Sequence, residues 1–428
     1  MQHHKSTEHI WHPFTQMKKA PEPVHIVKAK DCTLYDKDGN TYIDAISSWW
    51  VNIHGHCREE IAEAIGKQAK ELAHIIFAGF THTPAIRLAE NIIGMLPEPF
   101  SKVFFSDNGS TSVEVALKMA MQYRHNEGMT LKRKIIAFEN SYHGDTFGSM
   151  SVAARNAFNA PFEEFLFEVI HLPLPDSKNR DTIIKQFTEL TDSGEVSLFI
   201  FEPLVQGAAG MHMYAAADLD ELISIARKND VLCIADEVMT GFGRTGKIFA
   251  IDHLANKPDI ICLSKGITGG FMPLGLTACS QRIFDAFYSD DAHKTFFHGH
   301  SYTANPLACA AANASIALLK EDDCHKQIQQ ISEQLKEYAG NLGQHQLVKN
   351  MRQLGTILAF EVATAENDDY FNSLHYRLQH FFMKQGVFLR PLGNTVYVMP
   401  PYCITKNELK KVFEAIEEAI KMVLSGKC

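Results

Sequence analysis

At 428 residues, with a net charge of −9 and a pI near 6.2, the chain is too long for one simple core and lacks the basic surplus expected of a nucleic-acid binder. Its nine cysteines are odd in number and form no CxxC pair, so they read as reduced thiols rather than a disulfide framework or a zinc site. The opening MQHHKSTEHIWHPF is not a basic-then-apolar leader, no long apolar span occurs, and no metal-ligand spacing is present, so the expectation is a cytoplasmic protein that handles small molecules, with no metal, membrane or nucleic-acid partner.

Residues 1–24 are predicted irregular, because Pro13, Pro21 and Pro23 interrupt regular backbone. Short strands follow at 24–27, 33–35 and 41–43, the last two joined by the turn at 36–40. The next segment sets Trp49 beside Trp50. Adjacent side chains point in different directions, so one ring can belong to the core while the other lines a ligand cavity. A helix is predicted over 59–74, and another starts at Thr83 with Pro84 in its first turn.

A strand at 102–106 then runs through the polar turn 107–112 into a helix over 113–123. Free N–H groups and hydroxyls at such a start suit an anion such as phosphate, or Ser110 or Ser112 simply caps the helix. The strand 134–138 leads into a loop at 140–148, where Tyr142 or His143 can stack on a planar ring, or Tyr142 is a buried structural tyrosine. A further strand, 198–201, ends at Glu202-Pro203, and an amphipathic helix covers 218–228.

The centre of the chain is the stretch 231–270. Its two apolar runs, 231–235 and 260–263, read as buried parallel strands joined by one crossover, and Asp236 and Lys265 follow them. Open α/β sheets bind ligands at the carboxyl ends of their strands. Alone, the aspartate reads as a helix cap and the lysine as a surface residue. As a pair they suit pyridoxal phosphate, which needs an amine for a Schiff base and an acid to keep its ring nitrogen protonated. Burial would lower the lysine pKa and give a neutral amine. Gly266, Gly269 and Gly270 leave room for a bulky group.

Beyond the lysine, a strand at 274–279, a glycine-bearing loop at 296–306 and an alanine-rich helix at 307–319 are predicted. Composition shifts after Glu321 to a charged helix at 324–342, a strand at 356–362, a helix at 370–384, a hairpin-like run at 387–402 and a last helix at 406–424. Arg390 either clamps a carboxylate or forms a surface ion pair. The expected fold is α/β, a mostly parallel sheet wound with helices plus a smaller α+β domain. The domain division is 1–57 as an N-terminal segment joining the small domain, 58–320 as the large domain and 321–428 as the small one.

The segments DEVMTGFGRTG from Asp236, SKGITGG from Ser264, SYHGDTFG from Ser141 and HGHSYTANPLA from His298 together resemble the class III, or ω-type, aminotransferases of the fold type I pyridoxal-phosphate superfamily. The resemblance covers nearly the whole chain. Within that family, HIWHPFTQM, the SSWW pair, THTPA and the stretch from Arg390-Pro391 to Tyr402 are similar to the biotin-pathway branch. Phe14 stands where that branch usually has tyrosine, and HGHSY replaces its HGPTF.

The resemblance implies that Lys265 carries the cofactor, Asp236 pairs with its ring nitrogen and Tyr142 stacks on its ring. It implies phosphate contacts from Gly109 and Ser110, joined by Ser301 of a neighbouring subunit, and hence a homodimer with shared active sites. Arg390 would take a substrate carboxylate, Trp50 and Tyr397 would line the apolar chain, and Gly299 and Arg244 would stand near the substrate. The implied reaction converts 8-amino-7-oxononanoate to 7,8-diaminononanoate, with S-adenosylmethionine or lysine as amino donor. Another class III aminotransferase acting on an ω-amino acid or diamine, and a non-enzymatic small-molecule-binding protein, are the competing readings.

Overall fold

Four runs of almost unbroken apolar sequence explain the central sheet. Every residue of Val196–Phe201, Leu232–Asp236, Ile260–Leu263 and Gly275–Ser280 is buried, so these strands must be covered on both faces. Their side chains divide by alternation. Leu198, Ile200, Leu232, Ile234, Ile260 and Cys262 join one apolar cluster with the Gly109–Asn126 helix, whereas Phe199, Phe201, Cys233, Ala235, Ile261 and Leu263 join the other with the Ala216–Lys228 helix. The computed structural model describes residues 9–363 and 374–424.

The sheet has seven strands, in the spatial order Phe100–Ser106, Gly275–Ser280, Ile260–Leu263, Leu232–Asp236, Val196–Phe201, Lys134–Phe138 and Ile170–Leu172. Gly275–Ser280 runs against both of its neighbours, and the remaining pairings are parallel. Register sets Asp236 opposite Cys262 and Ala235 opposite Phe201. Glu202, Asp236 and Lys265 therefore leave the sheet at one edge, and the loop after Phe138 leaves there too. The expected α/β fold of a wound, mostly parallel sheet is what the chain adopts.

Three smaller sheets accompany it among the described residues, the smallest pairing Val205–Gln206 with His212–Met213. Ile26–Lys30, Thr33–Asp36 and Thr41–Asp44 form a meander that Val387–Phe388 joins in parallel, so the N-terminal strands do pair with the C-terminal part. Val348–Leu354, Ile357–Val362 and Thr395–Val398 form an antiparallel sheet. Residues 387–402 are thus not a hairpin: their two strands belong to different sheets, and Arg390-Pro391 lies between them, where proline cannot donate to a ladder. The Val348–Leu354 strand was not anticipated, because VKNMRQL is an edge strand with little apolar alternation. The helix expected from Tyr370 is seen as Leu374–Lys384; its expected start lies outside the described residues.

Phe199 is fully buried and its ring meets Phe138, Phe187 and Phe201 at centroid distances of 5.2, 5.0 and 4.9 Å. Phe199→Ala is expected to cost about 3–5 kcal/mol, read as a lower urea midpoint with the secondary structure retained in water.

Candidate active site

Loops from the carboxyl edge of the sheet enclose a cavity of about 650 Å³. Lys265, Asp236, Tyr142, Gly109, Ser110 and Trp50 all line it. Lys265 sits just past its strand with φ at +47°, a left-handed conformation that costs a non-glycine residue energy and that functional sites tend to hold. The Ser264 hydroxyl ties this turn to the Leu274 carbonyl at 2.7 Å. Burial lowers the Lys265 pKa, opposed by the nearby carboxylates of Asp236, Glu202 and Asp145. Its Nζ lies 5.0 Å from the centre of the Trp50 ring.

The Asp236 carboxylate is oriented from both sides. Oδ2 pairs with Nδ1 of buried His143 at 2.7 Å, and Oδ1 accepts the Val238 N–H at 3.1 Å. Behind it lies Glu202, whose Oε1 accepts the Tyr142 N–H at 3.0 Å and whose Oε2 accepts the Gly207 N–H at 2.9 Å. Burial pushes the Glu202 carboxyl up to about 7, with His143 opposing the rise. Tyr142 has its phenol pKa raised by burial first and by Asp145 next.

At the other end of the cavity the Gly109–Asn126 helix begins. Asn108, rather than Ser110 or Ser112, is its cap: Asn108 Oδ1 accepts the Thr111 N–H at 3.0 Å, and Thr111 Oγ1 accepts the Asn108 N–H at 3.1 Å. With Thr111 and Ser112 N–H groups both bonded to Asn108, those of Gly109 and Ser110 are left for a ligand. Ser110 Oγ accepts the Asp145 N–H at 3.1 Å, which leaves its own proton to donate. A Cβ at Gly144, where φ is +126°, would lie 2.1 Å from that Oγ, so only glycine permits this approach.

Across the cavity, Trp50 and Trp49 separate as adjacent residues must. Trp50 is buried, and its Nε1 donates to the Tyr397 hydroxyl at 3.1 Å, the two rings meeting edge to face at 6.2 Å. Trp49 is 40% exposed, with the Arg390 guanidinium 4.9 Å from its ring centre and Phe14 edge-on at 5.7 Å. Tyr397 and Arg390 stand behind and beside the tryptophans rather than in the cavity wall.

Arg244 takes a different place from the one expected near the substrate. It is fully buried, donates to the Pro400 carbonyl at 2.8 Å and the Trp50 carbonyl at 3.2 Å, and so fixes the wall from behind. Gly299 and Ser301 lie exposed on a loop outside this chain's cavity.

These groups fit pyridoxal phosphate: a partly neutral amine, an oriented carboxylate, an aromatic ring and an anion cradle share one cavity. Comparison with known proteins points the same way. A family model described as Aminotransferase class-III matches residues 15–420. The chain is similar to the Synechococcus elongatus protein named adenosylmethionine-8-amino-7-oxononanoate aminotransferase, at 46% identity over 423 residues, covering 97% of this chain and 99% of that one. The protein of the same name from Geobacter sulfurreducens is 41% identical, with 98% and 97% covered. Among solved structures, the Methanocaldococcus jannaschii protein of that name aligns with a TM-score of 0.92 at 35% identity, covering 97% of each chain. An amine transaminase from an uncultivated Pseudomonas species, solved with pyridoxal phosphate bound, aligns with a TM-score of 0.91 at 30% identity, covering 97% of this chain and 98% of that one.

The pairing of His143 with Asp236 and the role of Glu202 were missed in the sequence. Glu202 was findable, since it ends a strand as Asp236 does; the His143 contact joins loops 93 positions apart and leaves no local signal. Glu202 and Glu237 are both pushed from 4.5 to about 7 by burial. Between those values the folded protein holds protons that the unfolded chain has lost, so both groups make stability fall as pH rises through that window. Glu202→Gln should make the fall shallower by up to about 1 kcal/mol per pH unit, measured by urea unfolding of the cofactor-free protein from pH 4.5 to 7.5.

Proposed function

The chain belongs to the class-III aminotransferases, and from that membership we propose that it aminates 8-amino-7-oxononanoate to 7,8-diaminononanoate in biotin biosynthesis, with S-adenosylmethionine as donor. Its cofactor is pyridoxal phosphate, which supplies an electron sink that stabilises negative charge at the donor α-carbon. The observation that carries the acceptor is a cation close to the aromatic side of the site: the Trp50 ring lines the cavity with Tyr397 packed behind it, and Arg390 stands over the neighbouring Trp49. An oxononanoate has a long apolar chain ending in a carboxylate, and that wall and cation suit its two parts.

In this reading Lys265 Nζ is the covalent anchor and the proton carrier. With its amine free, Lys265 Nζ would take the proton from the donor α-carbon and would give that proton back to the cofactor-side carbon, acting as base and then acid. Its lowered pKa keeps a share of the amine neutral for the first step. Asp236 holds positive charge on the ring nitrogen, and the His143 contact keeps that carboxylate aimed. Tyr142 covers the ring, and the first turn of the Gly109–Asn126 helix binds the phosphate. Arg390 binds the acceptor carboxylate, while Trp50, held in place by Tyr397, keeps water from its chain. Ser301 of a second copy would complete the phosphate site, which makes the active form a homodimer, and we place it in the cytoplasm. Among the described residues no helix is long and apolar enough to cross a membrane.

Lys265→Ala is expected to lower turnover by at least about four orders of magnitude while leaving the thermal unfolding profile intact. Retained steady-state turnover would sink the assignment. Arg390→Ala should raise KM for the acceptor about 10- to 100-fold with a smaller change in kcat. For the donor, the yellow holoenzyme is mixed with S-adenosylmethionine alone and its absorption is followed. Bleaching without acceptor supports this donor in a two-stage exchange, whereas an unchanged spectrum that bleaches with lysine assigns the amine to lysine.

A further inference from the structure

The helix whose first turn forms the phosphate cradle carries a second row of polar groups further along. Lys118, Gln122 and Asn126 are four residues apart and so share one helix face. All three reach the chain that leads into the 296–305 loop. Lys118 Nζ donates to the Phe297 carbonyl at 3.2 Å and to His298 Nδ1 at 3.0 Å. Gln122 Nε2 donates to the Thr295 carbonyl at 2.9 Å and the Lys294 carbonyl at 3.4 Å. Asn126 Nδ2 donates to the Ala286 carbonyl at 3.1 Å and the Lys294 carbonyl at 3.5 Å.

Past this row the loop is tied down again, by His82 Nε2 on the Ala304 carbonyl at 2.7 Å and by the Tyr302 ring, 5.2 Å from His74. The loop so tied carries Phe297 at 72% exposure, Tyr302 at 64% and, between the ties, an exposed Ser301. Burial and the Lys118 cation lower the His298 pKa, which keeps its Nδ1 available as an acceptor.

We propose that Lys118, Gln122 and Asn126 are positioning residues that hold the 296–305 loop at the height where Ser301 reaches the phosphate subsite of a second copy of this chain. The proposal rests on the homodimer with shared sites put forward above. One helix then serves two sites: its first turn binds the phosphate of its own chain, and its later turns present the loop that completes the partner's site.

The test uses holoenzyme carrying Lys118→Met and Gln122→Met, which keep helix propensity and stem packing but remove the donors. Cofactor release is followed by absorbance during dilution into a cofactor scavenger, and assembly by sedimentation. The expected result is a dimer that releases cofactor about tenfold faster than wild type. Wild-type release rates would overturn the proposal while leaving the dimer intact as a reading.

Mixed dimers with a single competent lysine separate the two ideas. When Lys265→Ala and the Met pair sit on one chain and the other chain is wild type, release from the competent site should be fast. When the Met pair sits on the chain that keeps Lys265, opposite a Lys265→Ala partner, release should be normal. The reverse pattern, or a wild-type protein that sediments as a monomer with its cofactor retained, overturns the shared-site reading itself.

Discussion

The structure depends on holding one buried carboxylate, Asp236, aimed at the carboxyl edge of an apolar sheet. Asp236 ends a fully buried strand, and an isolated ionised carboxylate there would carry a heavy desolvation cost. His143 and the Val238 N–H orient it on two sides. The requirement extends outward. His143 is delivered by the loop after Phe138, whose neighbour Tyr142 is held through its backbone by Glu202 at the end of the next strand. Parallel register is what puts all of these at one edge.

The opposite wall is built by the chain termini. Trp50 adopts φ of +70°, and its carbonyl is held by Arg244, which also donates to the Pro400 carbonyl and lies over the Tyr402 ring at 5.2 Å. The Met399 N–H donates to the Ala45 carbonyl at 2.8 Å, and the Ser47 hydroxyl to the Met399 carbonyl at 2.9 Å. A segment from the beginning of the chain and one from its end are therefore stitched together directly behind the indole. Strained backbone at Trp50 and at Lys265 faces one cavity from two sides, as expected where surrounding structure over-determines a site.

Arg244 illustrates how a motif residue can be located without its role being legible. Its place after two glycines and a phenylalanine marks the segment, yet its contacts go to carbonyls contributed by residues 50 and 400. The helix cap was misassigned for a similar reason. Ser110 and Ser112 are good capping types, but Asn108 reaches the Thr111 N–H first, which releases the Ser110 hydroxyl. Local propensity could not choose among four capping types within five positions, Asn108, Ser110, Thr111 and Ser112.

The sequence by itself determined six of the seven strands of the central sheet, chiefly through apolar runs that burial on both faces explains, and the two groups at the strand ends, Asp236 and Lys265; the short strand Ile170–Leu172 had no such run to mark it. It also marked the helix start at the cavity, because the polar turn and the periodic segment after it are local features. Only the tertiary structure decided which tryptophan faces the cavity, that residues 387–402 divide between two sheets, that His143 serves Asp236, and that Arg244 braces the wall. Those outcomes depend on contacts between segments far apart in the chain, whose geometry is set by register and packing and has no counterpart in the spacing of neighbouring residues.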